Sequence, residues 1–216
     1  MRVKVCGMTR VEDAQAAVAA GADAVGCLVG LDGAPRDEVP AALARVVFAS
    51  LPPFVTRVLV THRTATEDVL ELVRATGAQV VQLHGAFALG AVADLRAHAP
   101  FLSIVKAAHV VDEGSIAPAL EAARVADAVL LDSRTADRIG GTGQVHDWSI
   151  SVRIVERSAA PVILAGGLTP DNVAEAIARV RPWGVDVNSG VRGPDGSKSH
   201  ERIRAFVVAA KGQGIR

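Results

Sequence analysis

The chain opens on alternation. In Val3-Lys4-Val5-Cys6-Gly7-Met8 apolar and polar positions change places residue by residue, the period of a β-strand whose successive side chains point to opposite faces. Lys4 and Cys6 then share one face, Val3 and Val5 the other. Gly7 releases the strand. Thr9-Arg10-Val11-Glu12 has the pattern of a capping box, and Val11, Ala14, Ala17 and Val18 recur at helical spacing up to Gly21, which suits a helix end. The same strand-then-helix unit returns along the chain. The pattern predicts further strands over 23–29, 54–61, 79–85 with its loop, 101–106, 127–132, 161–165 and 184–188. Helices are expected over 40–51, from a second capping box at 64–67 to Gly77, and over 89–98, 114–124 and 148–158. Two more follow, one from an N-cap at Thr169-Pro170 to Val180 and one over 198–211.

Eight consecutive units without a dinucleotide fingerprint predict a (β/α)8 barrel spanning 1–216 as one domain, an α/β fold with a closed parallel sheet. Such barrels carry their chemistry on loops at the carboxyl ends of the strands. The polar residues expected there are Cys6, Arg36, His84, Lys106, Asp132, Asp186 and Asn188. The longest irregular segment, 133–147, contains Gly140-Gly141-Thr142-Gly143. It lacks the lysine of a nucleotide-phosphate loop and reads better as a lid over a ligand.

Composition sharpens this picture. Half of the 216 residues are hydrophobic but only 3% are aromatic and Tyr is absent, so the core must be aliphatic. The 23 basic and 23 acidic residues cancel without a run of like charge, which argues against nucleic acid or an anionic membrane and leaves a small molecule as the expected partner. Cys6 and Cys27 make no disulfide framework. No apolar run reaches the ~18 residues of a membrane span, and the amino terminus starts directly with a strand, so a cytoplasmic protein is expected. The sequence is silent on oligomeric state; a barrel of this size can stand alone, and a monomer is the default.

Candidate chemistry follows from the faces. A lysine behind Cys6 on the same face favours thiolate; a cysteine taken alone is more often a small buried hydrophobe. Ala128, Leu130 and Asp132 share a face, so Asp132 closes the sixth strand as Cys6 closes the first. A partly desolvated carboxyl can keep its proton, and the two groups together could supply one general acid and one general base. Gly166-Gly167 and Ser189-Gly190 lie on the loops after the seventh and eighth strands, where backbone amides of barrels often hold phosphate. Arg36 could clamp a carboxylate through two hydrogen bonds, and His84 could pack on a ring or bond a ligand. The six histidines are scattered without the spacing of a metal site, and no metal is implied.

Lys4-Val5-Cys6-Gly7-Met8, Gln82-Leu83-His84-Gly85, Gly140-Gly141-Thr142-Gly143 through Asp147-Trp148, Ala165-Gly166-Gly167-Leu168 with Asn172-Val173, and the run from Gly184 to Val191 occur in order over nearly the whole chain. In these motifs the sequence resembles the phosphoribosylanthranilate isomerase family of tryptophan biosynthesis. The resemblance implies an Amadori rearrangement of a phosphoribosyl aminoaldose to an aminoketose, without a cofactor. Cys6 would match the general base, Asp132 the general acid, Arg36 the arginine facing the anthranilate carboxylate and Asp186 an aspartate at the ribose; apart from the resemblance, Lys4 and His84 are further candidate substrate contacts. The chain departs from the family pattern at Cys27, Ala34, Arg192 and Ser199, changes expected to touch the ligand mouth. They leave open a relative acting on a different phosphoribosyl amine or another phosphorylated substrate in a secondary pathway; a silent barrel that only binds a phosphorylated metabolite is the remaining alternative.

Overall fold

The computed structural model describes residues 1–33, 35–133 and 147–212. Eight parallel strands close into a barrel in sequence order: β1 (Arg2–Val5), β2 (Ala24–Leu28), β3 (Thr56–Thr61), β4 (Val80–Leu83), β5 (Ser103–Val110), β6 (Ala128–Ser133), β7 (Val162–Leu164) and β8 (Gly184–Val187). The helices between and after them are α1 (Val11–Ala20), α2 (Ala41–Ala49), α3 (Thr66–Thr76), α4 (Val92–His98), α5 (Ile116–Val125), α6 (Trp148–Arg157), α7 (Val173–Val180) and α8 (His200–Lys211). The seam that closes the barrel joins β1 to β8, with Lys4 opposite Asp186 and Val5 opposite Val187. Among the described residues no helix is long and apolar enough to cross a membrane.

The alternation read from the sequence sorts side chains into two layers. Val3, Val5, Val25, Cys27, Val129 and Leu131 face the helices in one continuous aliphatic core. Inside the barrel, Cys6, Leu28, Val58 and Val60 pack together on one side, and Val105, Ala107, Ala128, Leu130 and Ile163 on another. A strand buried on both faces must be apolar on both, and the polar exceptions on the inner face of β1, β4 and β8 (Lys4, Gln82 and Asp186, all buried) therefore need one another.

Local signals held unevenly. Gly21 and Gly77 end α1 and α3 in the left-handed conformation, φ 99° and 72°, as their positions predict. Neither capping box forms. The N-caps are Arg10 and Ala65, without side-chain caps. At α1 the carboxylate of Asp13 instead turns to Arg10 and to His200 on α8, at 3.5 and 2.8 Å. Thr169 and Pro170 precede α7 rather than starting it: Asn172 folds back, its Oδ1 accepting from the Thr169 amide at 2.8 Å and its Nδ2 donating to Gly167 O at 3.0 Å. β5 runs four residues beyond its predicted end, to Val110, because Ala107-Ala108-His109 pairs with β6 although it lacks the β-branched residues that mark strands. Lys106 is a further correction. It shares the helix-facing side with Ile104, and its Nζ donates to the carbonyls of Leu83, Gly85 and Ala107 at 3.3, 2.9 and 3.1 Å. The Gly140–Gly143 run proposed as a lid lies outside the described residues.

Gly26 shows how closely the inner layer is packed. A Cβ there would sit 2.8 Å from Cys6 Sγ and 3.0 Å from Lys4 Cε, so β2 must lack a side chain where β1 carries its two functional ones. Gly26→Ala is expected to destabilise the fold by about 1–3 kcal/mol through overpacking, read as a lower urea midpoint with unchanged slope.

Candidate active site

The carboxyl ends of the strands open into a cavity of about 640 Å³. Cys6, Arg36, His84, Asp132, Asp186, Gly166, Gly167, Ser189 and Gly190 all line it, so one space gathers residues from both ends of the chain. Lys4 is the exception among the expected substrate contacts. It lies below the floor, its ammonium donating to Asp186 Oδ2 at 2.8 Å and to Gln82 Oε1 at 3.1 Å. The second oxygen of Asp186 is buried and meets no donor among the described residues.

The two glycine loops abut. A Cβ on Gly190 would overlap the carbonyl of Leu168, and one on Gly166 the amide of Ser133; Gly166 and Gly167 also take φ of 77° and 67°, the region L side chains avoid. Bare backbone is thereby brought to the cavity wall. Arg36 is tethered across the mouth, its Nη2 donating to Asp195 O at 2.8 Å, over Gly196, where any side chain would collide with the guanidinium. Beside it the buried Asp37 is ion-paired with Arg192. Lys198 donates to Asn188 O and Oδ1 at 2.8 and 2.6 Å; burial pulls its ammonium down to about 8, against the attraction of Asp37 and Cys6.

The histidines, distant in sequence, meet in space. His84 stacks on His62 (centroids 5.7 Å, planes 10° apart) and meets His109 edge-on at 5.1 Å. Its Nε2 lies 3.5 Å from Asp132 Oδ2, and its Nδ1 3.1 Å from Gln82 Nε2. His109 was missed because β5 was expected to stop before it. Gln82, Asp37 and Lys198 were passed over as well; the inward alternation Val80-Gln82-His84 carried a signal for the first of these.

The electrostatics of Cys6 reverse one expectation. Burial pushes its thiol up, and Lys4 and Lys198 pull it down less than that. Lys4 cannot act as a lone cation, because Asp186 adds its negative charge to the same pocket. The carboxylate and Cys6 in turn outweigh burial at Lys4 and hold its ammonium up at about 12.

The departures at Cys27, Arg192 and Ser199 mostly miss the mouth. Cys27 is fully buried on the helix side, Sγ 3.5 Å from Met8 O. Ser199 caps α8, accepting from the Arg202 amide at 3.3 Å. Ala34 lies outside the described residues. Of the three that are described, Arg192 alone is found on the cavity wall.

The family model described as N-(5'phosphoribosyl)anthranilate (PRA) isomerase matches residues 3–209. The chain belongs to the phosphoribosylanthranilate isomerase family. Its sequence is 47% identical over 210 residues to the N-(5'-phosphoribosyl)anthranilate isomerase of Haloferax volcanii, covering 97% of this chain and 93% of the relative. It is 43% identical to N-(5'-phosphoribosyl)anthranilate isomerase 2 of Methanosarcina mazei, covering 98% and 94%. Among solved structures, the Thermotoga maritima phosphoribosyl anthranilate isomerase superposes with a TM-score of 0.87 at 36% identity, over 98% of this chain and 99% of that one. A phosphoribosyl anthranilate isomerase in complex with reduced 1-(o-carboxyphenylamino)-1-deoxyribulose 5-phosphate superposes with a TM-score of 0.84 at 34% identity, with the same coverage.

Alkylation of Cys6 by iodoacetamide should stay slow at neutral pH and rise only above the ordinary thiol range, since the thiolate is the reactive form. Lys4→Met removes the cation and leaves Asp186, which shifts the rise to still higher pH. A Cys6→Ser control isolates the signal in a peptide map; half-maximal reaction below pH 8 in the wild type would contradict the assignment.

Proposed function

We infer that the protein converts N-(5'-phosphoribosyl)anthranilate to 1-(2-carboxyphenylamino)-1-deoxyribulose 5-phosphate, the isomerase step that its family performs in tryptophan biosynthesis. The observation that carries this reading is the opening of Cys6 and Asp132 onto one cavity with the glycine loops and Arg36. The relatives at 47% and 43% identity are named for this reaction. Because only Arg192 among the described departures faces the cavity, little argues for a different amine.

Asp132 as general acid delivers a proton to the furanose ring oxygen, the ring opens, and the anthranilate nitrogen shares its lone pair to give an iminium ion. Cys6 as general base then removes the proton from the adjacent sugar carbon, giving an enolamine that tautomerises to the aminoketose. The carbon acid is strong only while the iminium exists. The same cation supports the base: a positive charge ~4 Å from sulfur favours thiolate by about 4 kcal/mol at an effective dielectric of ~20, an order of magnitude able to offset the burial that disfavours the free anion. Asp186 offers its unpartnered oxygen to a ribose hydroxyl. The amides of Gly166, Gly167, Ser189 and Gly190 bind the phosphate, and Arg36 faces the anthranilate carboxylate as a fork of donors.

Turnover is followed as loss of the substrate's fluorescence. Cys6→Ala and Asp132→Asn should each lower kcat by roughly a hundredfold or more, while Arg36→Met should act chiefly on KM, roughly tenfold or more for a lost charged hydrogen bond. Wild-type protein that fails to consume the substrate beside an active control isomerase would refute the reading.

A further inference from the structure

Between Asp186 and Asp132 runs a chain of side chains whose hydrogens can be assigned without ambiguity, starting from one group that can only donate. The Lys4 ammonium has three donors and no acceptor. Gln82 therefore turns its carbonyl oxygen toward Lys4, at 3.1 Å, which leaves its NH2 group facing His84 Nδ1, also at 3.1 Å. An amide NH2 only donates, so Nδ1 must present a lone pair. The neutral imidazole then carries its proton on Nε2, the atom 3.5 Å from Asp132 Oδ2. Lys4 is itself fixed by Asp186 at 2.8 Å, and the His84 ring is held between His62 and His109.

We propose that Lys4, acting through Gln82, locks His84 in its Nε2–H tautomer, and that His84 in this form is a positioning residue for Asp132, aiming the carboxyl and receiving it by a hydrogen bond once it has given up its proton. The separation of 3.5 Å is longer than the ~2.9 Å of a made N–H···O bond; such bonds in substrate-free sites commonly tighten when the acid is engaged. The arrangement places a preset donor where negative charge develops as the sugar ring is protonated and opens. No proton crosses the whole chain: His84 keeps its own, and the one transferred comes from Asp132. The same assignment bears on the grouping of His84, His109 and Asp132, whose ligating atoms lie within 4.8 Å of one another. His84 points an N–H into that space rather than a lone pair, which suits a carboxylate and opposes a cation.

This role for His84 rests on Asp132 being the acid of the proposed isomerase, so its test is split into two readouts. Long-range ¹H–¹⁵N correlation spectra of the histidine-labelled, substrate-free protein distinguish the two neutral tautomers, with His84→Gln identifying the His84 signal. We expect Nε2–H in the wild type and a shift toward Nδ1–H in Gln82→Met, which keeps the length of the side chain but cannot donate. Wild-type His84 found as Nδ1–H or as imidazolium, or a Gln82→Met spectrum unchanged at His84, overturns the relay whatever the protein catalyses. In kinetics, His84→Leu and Gln82→Met should lower kcat roughly ten- to a hundredfold with KM changed less than about twofold. His84→Gln, which keeps an N–H near the Nε2 position, should restore most of the loss. Equal losses in His84→Leu and His84→Gln, or a loss confined to KM, refute the positioning role. A protein inactive on the substrate but with the expected tautomers counts against the isomerase reading and against His84 as a positioning residue for catalysis, while the Lys4–Gln82 lock stands.

Discussion

One buried ammonium governs the interior of this barrel. A lysine sealed among aliphatic side chains is tolerated only when its charge and its donors are matched. Asp186 and Gln82 match those of Lys4 from the opposite edge of the closing seam and from across the lumen. Removing one partner of such a pair generally costs ~3–5 kcal/mol, because the other is left charged and alone. The pair also fixes register. Lys4 lies opposite Asp186 in the β1–β8 ladder, and a slip of one residue would turn the aspartate outward into the helix layer and strand the ammonium. The closing of the sheet and the setting of the site are thus one event.

What lies above the ammonium follows from it. Asp186 spends one oxygen on Lys4 and keeps the other for the cavity, while Gln82 is turned by Lys4 and in turn orients His84. Cys6, next along the strand, receives a divided field, with the lysine drawing its proton off and the aspartate and burial holding it on. A thiol held in this way stays protonated, and therefore unreactive, until further positive charge is brought beside it. The rim is organised separately. There the buried Asp37 holds Arg192, so that a residue foreign to the family pattern is neutralised rather than presented as a free cation to the ligand.

The fold was legible because the inner and outer faces of each strand differ in a way that periodicity records: Ala128, Leu130 and Asp132 against Val129 and Leu131, Lys4 and Cys6 against Val3 and Val5. Glycine in the left-handed region was equally readable at Gly21 and Gly77. The capping motifs were not, because Asp13 finds His200 through tertiary packing and Asn172 folds back onto Gly167 and Thr169 of the preceding turn. His109 was hidden for a related reason. Ala107-Ala108-His109 has no strand character of its own and is extended by β6 alongside it. The direction of the shift at Cys6 lay out of reach of sequence as well: Lys4 two residues away is visible, but the burial that chiefly raises the thiol, and Asp186 which adds to it, come only with the folded barrel.

Closure at a single seam has a bearing on how the protein is made. Of the eight strands the first to be made pairs with the eighth, so during synthesis the thiol and its lysine wait without their aspartate while the strands between are added. An unfinished chain carries half of each functional pair and an open sheet edge beside it. The site closes in one step with the eighth strand, and a fragment that stops short of it lacks the carboxylate that holds Lys4.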